Sequence, residues 1–281
     1  MLLDGKIVAD KILKNIKKEA VKYSKKPGLA VILANNNPAS RIYVSSKEKK
    51  ALELGFKSSV YRFGQNAKQS EIINLINELN EEKNTHGILV QLPLYNHLNE
   101  SEIIEAINPK KDVDGFHPIN VGRLYSGLKP YAISCTPLGI IKLLEYYNIG
   151  IEGKKALVIG RSNIVGKPTA QLLLQKNATV TIAHSKTKDL KALTKTADII
   201  VSATGTPNIL KADMVKKGVV IVDVGIIRDF YGKIHGEVEF NKLKDIASAI
   251  TPVPGGVGPM TIAMLMQNTY NLFQEAQNAK L

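Results

Sequence analysis

Residues Lys154 to Lys186 read KKALVIG RSNIVGKPTAQLLLQKN ATVTIAHSK, and this stretch decides the fold. An apolar run breaks at Gly160, a helix-forming segment follows, and a second run leads to His184. Runs without polar alternation suit strands covered on both faces, and a helix between two such strands makes the right-handed crossover of a parallel sheet. The expectation is an α/β protein with a doubly wound, Rossmann-like sheet. In such sheets the turn after the first strand receives a nucleotide's phosphates, because the following helix points unpaired N–H groups at an anion.

That turn, Gly160-Arg161-Ser162-Asn163-Ile164-Val165-Gly166, departs from the G-x-G-x-x-G fingerprint, since Ser162 stands at the second glycine. Gly160 still permits a tight turn, Gly166 permits close packing of helix on strand, and Pro168 suits an early helical position. An ordinary strand-to-helix turn with two convenient glycines explains the pattern equally well.

The chain has 281 residues, 44% hydrophobic and 22% charged, enough for two α/β domains. No apolar run reaches the roughly 18 residues of a membrane span, and MLLDGKIVADK lacks a signal-peptide pattern, so the expected location is cytoplasmic with no membrane partner. Cys135 is the single cysteine, and the five histidines show no ligand spacing; neither a disulfide nor a metal is expected. The net charge of +13 is spread along the chain without an arginine-rich arm. It fits small polyanions, such as a dinucleotide phosphate or a carboxylate-bearing substrate, better than nucleic acid.

In chain order, Val8, Ile12, Ile16 and Ala20 mark an amphipathic helix, LAVILA (29–34) a buried strand, and RIYVSSKEKKALELG (41–55) a helix with Ser40 as its N-cap. FKSSVYRF (56–63) reads as a strand, 69–83 as a helix, HGILVQLPL (86–94) as a strand and 101–108 as a short helix. Farther on, ADIIVSATG (197–205) and GVVIVDVG (218–225) are buried strands, and Ala249 to Thr251 a short last one. TPVPGGVGPMT (251–261) is too rich in Pro and Gly for either element and reads as a shaped loop. The final helix, 262–281, carries a core stripe of Ile262, Met264, Leu265 and Met266. Cys135 reads as a small buried hydrophobe.

Tyr43 and Lys47 share a helix face, yet in so lysine-rich a helix a solvated lysine is the ordinary reading. Gln91 ends a buried strand before Pro93, where it either faces the crevice above the sheet or bonds loop backbone. Asp112 and Asp114 alternate in KDVDGFH and so face different ways, which argues against an acid/base dyad; Asp-Gly is also a plain turn signal.

Taken together, Tyr43 to Lys47 (YVSSK), Gly87 to Pro93 (GILVQLP), Lys111 to His117 (KDVDGFH), Gly160 to Pro168 (GRSNIVGKP), Asp223 to Ile226 (DVGI) and Thr251 to Thr261 closely resemble the bifunctional methylenetetrahydrofolate dehydrogenase/cyclohydrolase (FolD) family. The resemblance runs over essentially the whole chain, and Ser162 belongs to the family's own pattern. It implies a folate-binding catalytic domain, 1–137, completed by the returning helix 262–281, and an NADP-binding domain, 138–261, with the active site in the interdomain cleft. It also implies a homodimer. The implied reaction oxidises 5,10-methylenetetrahydrofolate with NADP, then hydrolyses the methenyl cation to 10-formyltetrahydrofolate. Carried over by position, Lys47 is the acid/base group, Gln91 orients it, Tyr43 packs on the folate's aromatic linker, and Asp114 bonds the pterin. Val90, Leu92 and the run Pro254, Gly255, Gly256, Val257 and Gly258 complete the substrate site; Gly160, Arg161, Ser162, Ser185 and Ile226 contact NADP. Ala183-His184-Ser185-Lys186 lacks the acidic residue that NAD enzymes of this fold place about 20 residues past the first glycine. The alternatives are a monofunctional dehydrogenase, an NAD-dependent relative, or a basic nucleotide-binding module.

Overall fold

A computed structural model describes residues 1–278. The chain divides into two compact units, one of Lys11–Ile133 with Leu265–Leu281, the other of Met1–Asp10 with Ser134–Met264. The last three positions of the expected helix 262–281 lie outside the described residues.

In the first unit, three parallel strands, β1 (Gly28–Leu33), β2 (Lys57–Arg62) and β3 (Gly87–Gln91), lie in the order β2-β1-β3. Every residue of β1 is buried, as its unbroken apolar run demands, whereas β2 alternates exposure along the sheet edge. The connecting helices are α2 (Pro38–Glu53) and α3 (Gln69–Glu81), and the second half of α1 (Gly5–Ala20) belongs to the same unit. α3 presents Ile72, Ile76 and Leu79 to Ile32, Ile88 and Val90 of the sheet. Each such side chain, fully removed from water, contributes about 1.5–3 kcal/mol of transfer free energy. Helix α4 (Glu100–Glu105) is capped by Asn99, whose side chain accepts from the Ser101 and Glu102 amides. Helix α5 (Pro118–Tyr125) is capped in the same way by His117 Nδ1, which accepts from Ile119 N.

The cap of α2 differs from expectation. Asn37, not Ser40, accepts from Ala39 N at 2.8 Å, and Pro38 takes the first helical position, where its missing N–H costs nothing. Ser40 is then inside the helix.

The second unit opens with α6 (Cys135–Tyr146), where Cys135 is buried as read. Five parallel strands follow: β4 (Lys155–Ile159), β5 (Thr179–Ala183), β6 (Ile199–Ser202), β7 (Val220–Asp223) and β10 (Ala249–Ile250), in the order β10-β7-β6-β4-β5. Helix α7 (Gly166–Gln175) joins β4 to β5 and α8 (Leu190–Thr196) joins β5 to β6. A two-stranded hairpin, β8 (Ile227–Arg228) with β9 (Ile234–His235), and the short α9 (Phe240–Leu243) intervene before β10. β5 lies on one side of β4 and β6 on the other, so strand order reverses at β4 and a crevice opens beyond the C-terminal ends of β4 and β6.

The first ten residues, expected with the folate domain, belong to this second unit. Leu2 bridges Ile250 in parallel, Ile250 N donates to Met1 O at 3.0 Å, and Leu3 N donates to Ile250 O at 2.9 Å. The start of the chain thereby satisfies the edge of the short β10. The Pro/Gly-rich run 251–261 is also less irregular than expected, because α10 (Val257–Asn278) begins within it. Pro259 sits in the first turn of α10, where no intrahelical donor is required of it.

Candidate active site

Helix α2 buries Ser40, Val44, Lys47 and Ala51, a stripe of one side chain per turn. Lys47 thus occupies a position where an apolar residue would normally stand, and at 9% exposure it is not the solvated lysine that composition favours. Its Nζ donates to Gln91 Oε1 at 2.9 Å, while Gln91 Nε2 donates to Leu92 O at 2.8 Å. Of the alternatives weighed for Gln91, the bond to loop backbone is present at one end of the amide, while the other end receives the Lys47 amine. A lysine offers only donors and a carbonyl only an acceptor, so the two contacts fix which end of the amide is oxygen.

Gln91 closes β3 beside β1, where strand order also reverses. The loops after these strands are tied together, with Asn35 Nδ2 donating to Pro93 O at 2.6 Å and Tyr95 N donating to Ala34 O at 2.9 Å. Val90 is buried on the strand and Leu92 half-buried after it; Tyr43, half-buried, lies one helical turn before Lys47.

Asp112 is the centre of the KDVDGFH loop. At 2% exposure, it accepts from Gly115 N at 3.0 Å, His117 N at 2.8 Å and Asn120 Nδ2 at 2.9 Å. Burial pushes its carboxyl above the usual aspartate range, with the Asn120 amide and the His117 and Phe116 N–H groups opposing. Val113 O is held by Asn268 Nδ2 at 2.8 Å, so the backbone on both sides of the half-buried Asp114 is anchored. Asp112 builds the turn from the buried side, and Asp114 stands half-buried within it.

In the second unit, Gly160 has φ +129°, and a side chain there would meet the Ala203 carbonyl oxygen at 2.3 Å. The loop after β4 therefore packs directly against the loop after β6. Ser162 Oγ accepts from Val165 N and Gly166 N, both at 3.2 Å, and Ser162 O accepts from Lys167 N at 3.0 Å. The expectation that α7 offers unpaired amides to an anion is thus corrected: Ser162 caps the helix, and its first N–H groups are already engaged. Cationic and hydroxyl side chains stand in the loops around it. Arg161, Ser185 and Lys186 are exposed, and the turn after β5 is shaped by His184, which accepts from Lys186 N through Nδ1 at 3.1 Å. Ile226 is 43% exposed beyond β7, and a Cβ placed on Gly258 would sit 3.9 Å from its Cδ1. The Pro254 to Gly258 run therefore approaches the Ile226 side chain within this unit.

Among the described residues there is no cluster of metal-ligand type, and no helix is long and apolar enough to cross a membrane.

Residues 3–114 match the family profile described as tetrahydrofolate dehydrogenase/cyclohydrolase, catalytic domain, and residues 134–277 that described as tetrahydrofolate dehydrogenase/cyclohydrolase, NAD(P)-binding domain. The bifunctional protein FolD of Streptococcus agalactiae is 52% identical over 96% of each chain. A crystal structure of the FolD methylenetetrahydrofolate dehydrogenase/cyclohydrolase from Campylobacter jejuni, 51% identical, superposes with a TM-score of 0.96 over 99% of each chain. The Trypanosoma brucei enzyme, solved with NADP cofactor and an inhibitor, is 35% identical with a TM-score of 0.95, covering 99% of this chain and 98% of that one.

Proposed function

The chain belongs to the tetrahydrofolate dehydrogenase/cyclohydrolase family, and from that premise we propose that it oxidises 5,10-methylenetetrahydrofolate to the methenyl cation with NADP and hydrolyses the cation to 10-formyltetrahydrofolate. The observation that carries the reading is the buried amine of Lys47 held by Gln91 at the strand-order reversal of the first sheet.

The residues of the second unit fit a phosphorylated dinucleotide. No carboxylate stands in Ala183-His184-Ser185-Lys186 to repel a 2′-phosphate, and Arg161, Ser185 and Lys186 offer charge-assisted and hydroxyl bonds. Gly160 and Ser162 shape the loop beneath it, and Ile226 gives an apolar surface for a flat ring. When bound, NADP takes the hydride from the folate's methylene carbon. The protein's part in that step is positional, because the folate nitrogens stabilise the cation left behind.

Hydrolysis asks more of the side chains. Water adds to the cationic carbon and gives up a proton, and ring opening moves a proton onto the departing nitrogen. Lys47 is the group that takes and returns these protons. Gln91 orients its amine without adding a charge. Tyr43 stacks on the aromatic linker, Asp114 accepts from the pterin N–H groups, Val90 and Leu92 line the strand end, and Pro254 to Gly258 wall the folate. The resemblance further implies a cytoplasmic homodimer acting on tetrahydrofolate derivatives.

The test is Lys47→Met. Methenyl hydrolysis falls by about 100-fold or more, the usual worth of a positioned acid/base group, while NADP reduction stays measurable and methenyl product accumulates. A variant that hydrolyses methenyltetrahydrofolate as fast as the parent removes Lys47 from the mechanism.

A further inference from the structure

Glu237 follows the β8–β9 hairpin, has 1% of its surface exposed, and has no part in the reaction outlined above. Its side chain reaches the loop after β6 and receives every polar group that loop can aim at it. Ser202 Oγ donates to Oε2 at 2.6 Å, Thr204 N is shared between both oxygens at 2.9 Å, Thr204 Oγ1 donates at 3.0 Å, and Gly205 N donates to Oε1 at 2.6 Å. All four donors come from residues 202–205.

A second buried carboxylate supports the first. Asp223, at the end of β7, accepts from Gly225 N at 2.9 Å, Glu237 N at 3.0 Å and Val238 N at 3.1 Å. The packing leaves no room for side chains beside them. A Cβ on Gly225 would lie 2.2 Å from Glu237 Cγ, and one on Gly236 would lie 2.0 Å from Asp223 Oδ2. The two glycines thus let the carboxylates sit against the backbone of the neighbouring loops.

We propose that Glu237 is a positioning residue of the dinucleotide site, holding the 202–205 loop at the crevice where strand order reverses and, through Asp223, the Gly225–Ile226 turn beside it. This rests on the reading that the second unit binds NADP. The loop after β6 is where a ligand at this crevice must pass, since Gly160 packs on Ala203. Thr204 and Gly205 are themselves exposed, so without Glu237 the loop can swing into water while the strands beneath stay paired. A glutamine cannot substitute: it supplies one acceptor oxygen and sets an N–H₂ against backbone N–H groups.

The experiment is Glu237→Gln in the full chain, assayed two ways. In NADP-linked oxidation, KM for NADP rises about 10-fold or more, with kcat at saturating NADP within about 3-fold of the parent and KM for methylenetetrahydrofolate within about 2-fold. Hydrolysis of added methenyltetrahydrofolate, which consumes no NADP, runs at the parent rate and reports that the chain is folded. Glu237→Asp, which keeps both acceptor oxygens on a shorter stem, gives a KM for NADP between the two. Should Glu237→Gln not fold, Ser202→Ala, which removes one donor from the same carboxylate, raises KM for NADP in the same direction by about 3-fold. An unchanged KM for NADP in the folded variants overturns the proposal, as does an equal loss of both activities. A parent with no NADP-linked oxidation overturns instead the reading on which it rests.

Discussion

Asp223→Asn isolates a cost that the second unit carries at neutral pH. Asp223 has 2% of its surface exposed, and burial pushes its carboxyl up to about 6 from an ordinary 3.8; three backbone N–H donors oppose the rise and the neighbouring Glu237 adds to it. The folded chain holds this proton more tightly than the unfolded chain does. The stabilisation from that proton is complete below pH 3.8, declines between 3.8 and about 6, and is gone above. At about 1.36 kcal/mol per pH unit, the interval amounts to about 3 kcal/mol. Asparagine does not titrate, so its variant lacks this slope. It also lacks the acceptor for Val238 N, a loss of about 1–3 kcal/mol that does not vary with pH. Titrations of groups away from Asp223 and its neighbour Glu237 are common to both proteins and cancel in their difference. Urea unfolding followed by far-ultraviolet circular dichroism at pH 4, 5, 6 and 7 should therefore show the stability difference moving in the variant's favour by about 2 kcal/mol across that range, because part of the decline already lies below pH 4. A difference that stays flat from pH 4 to pH 7 refutes the argument.

Arg161→Ala should raise KM for NADP by about 10-fold or more while changing KM for NAD by less than about 3-fold, if the guanidinium is, as proposed, the partner of a phosphate that only NADP carries; equal losses for both cofactors refute the assignment. Gly5→Ala should lower stability by about 2–3 kcal/mol and raise KM for methylenetetrahydrofolate, since its Cβ would meet the Gly256 carbonyl oxygen at 1.8 Å and push on the 254–258 run. Gly150→Ala, with nothing within 4 Å of the added carbon, is the matched control, and its thermal midpoint should stay near the parent's.

Much of the fold was readable because its strongest signals are local. The runs that became β1, β3, β4, β6 and β7 carry their burial in their own composition, and Gly55 and Gly160 mark an element end and a tight turn at positive φ. Helices α5 and α6 were not read: Pro118 and Pro137 look like breakers, yet both stand in first turns, where no donor is needed. The hairpin β8–β9 has strands of two residues, too short for any periodicity to register. The membership of residues 1–10 in the second unit was also unreadable, since Leu3 pairs with Ile250, almost the whole chain away. At the candidate site, the motif residues were named from the sequence, but two facts about them needed coordinates. Lys47 belongs to the buried stripe of α2, and Ser162 spends its hydroxyl on the cap of α7. Glu237 left no signal, because all the partners of its carboxylate lie more than thirty residues upstream.

The buried polar groups differ in what hydrogen-bonding capacity they have left, and that separates scaffold from chemistry. An ionised carboxylate has about four acceptor sites. Asp112 fills three of them with Gly115, His117 and Asn120, and Glu237 fills its own with Ser202, Thr204 and Gly205. Neither has much to offer a substrate, so each acts by fixing the loop that wraps it. Lys47 is the opposite case: its amine has three N–H donors and donates one hydrogen bond, to Gln91. The donors not given to Gln91 are available to a polar ligand or water. Substitution of the saturated carboxylates should thus change loop shape and ligand affinity, whereas substitution of Lys47 should remove a chemical step.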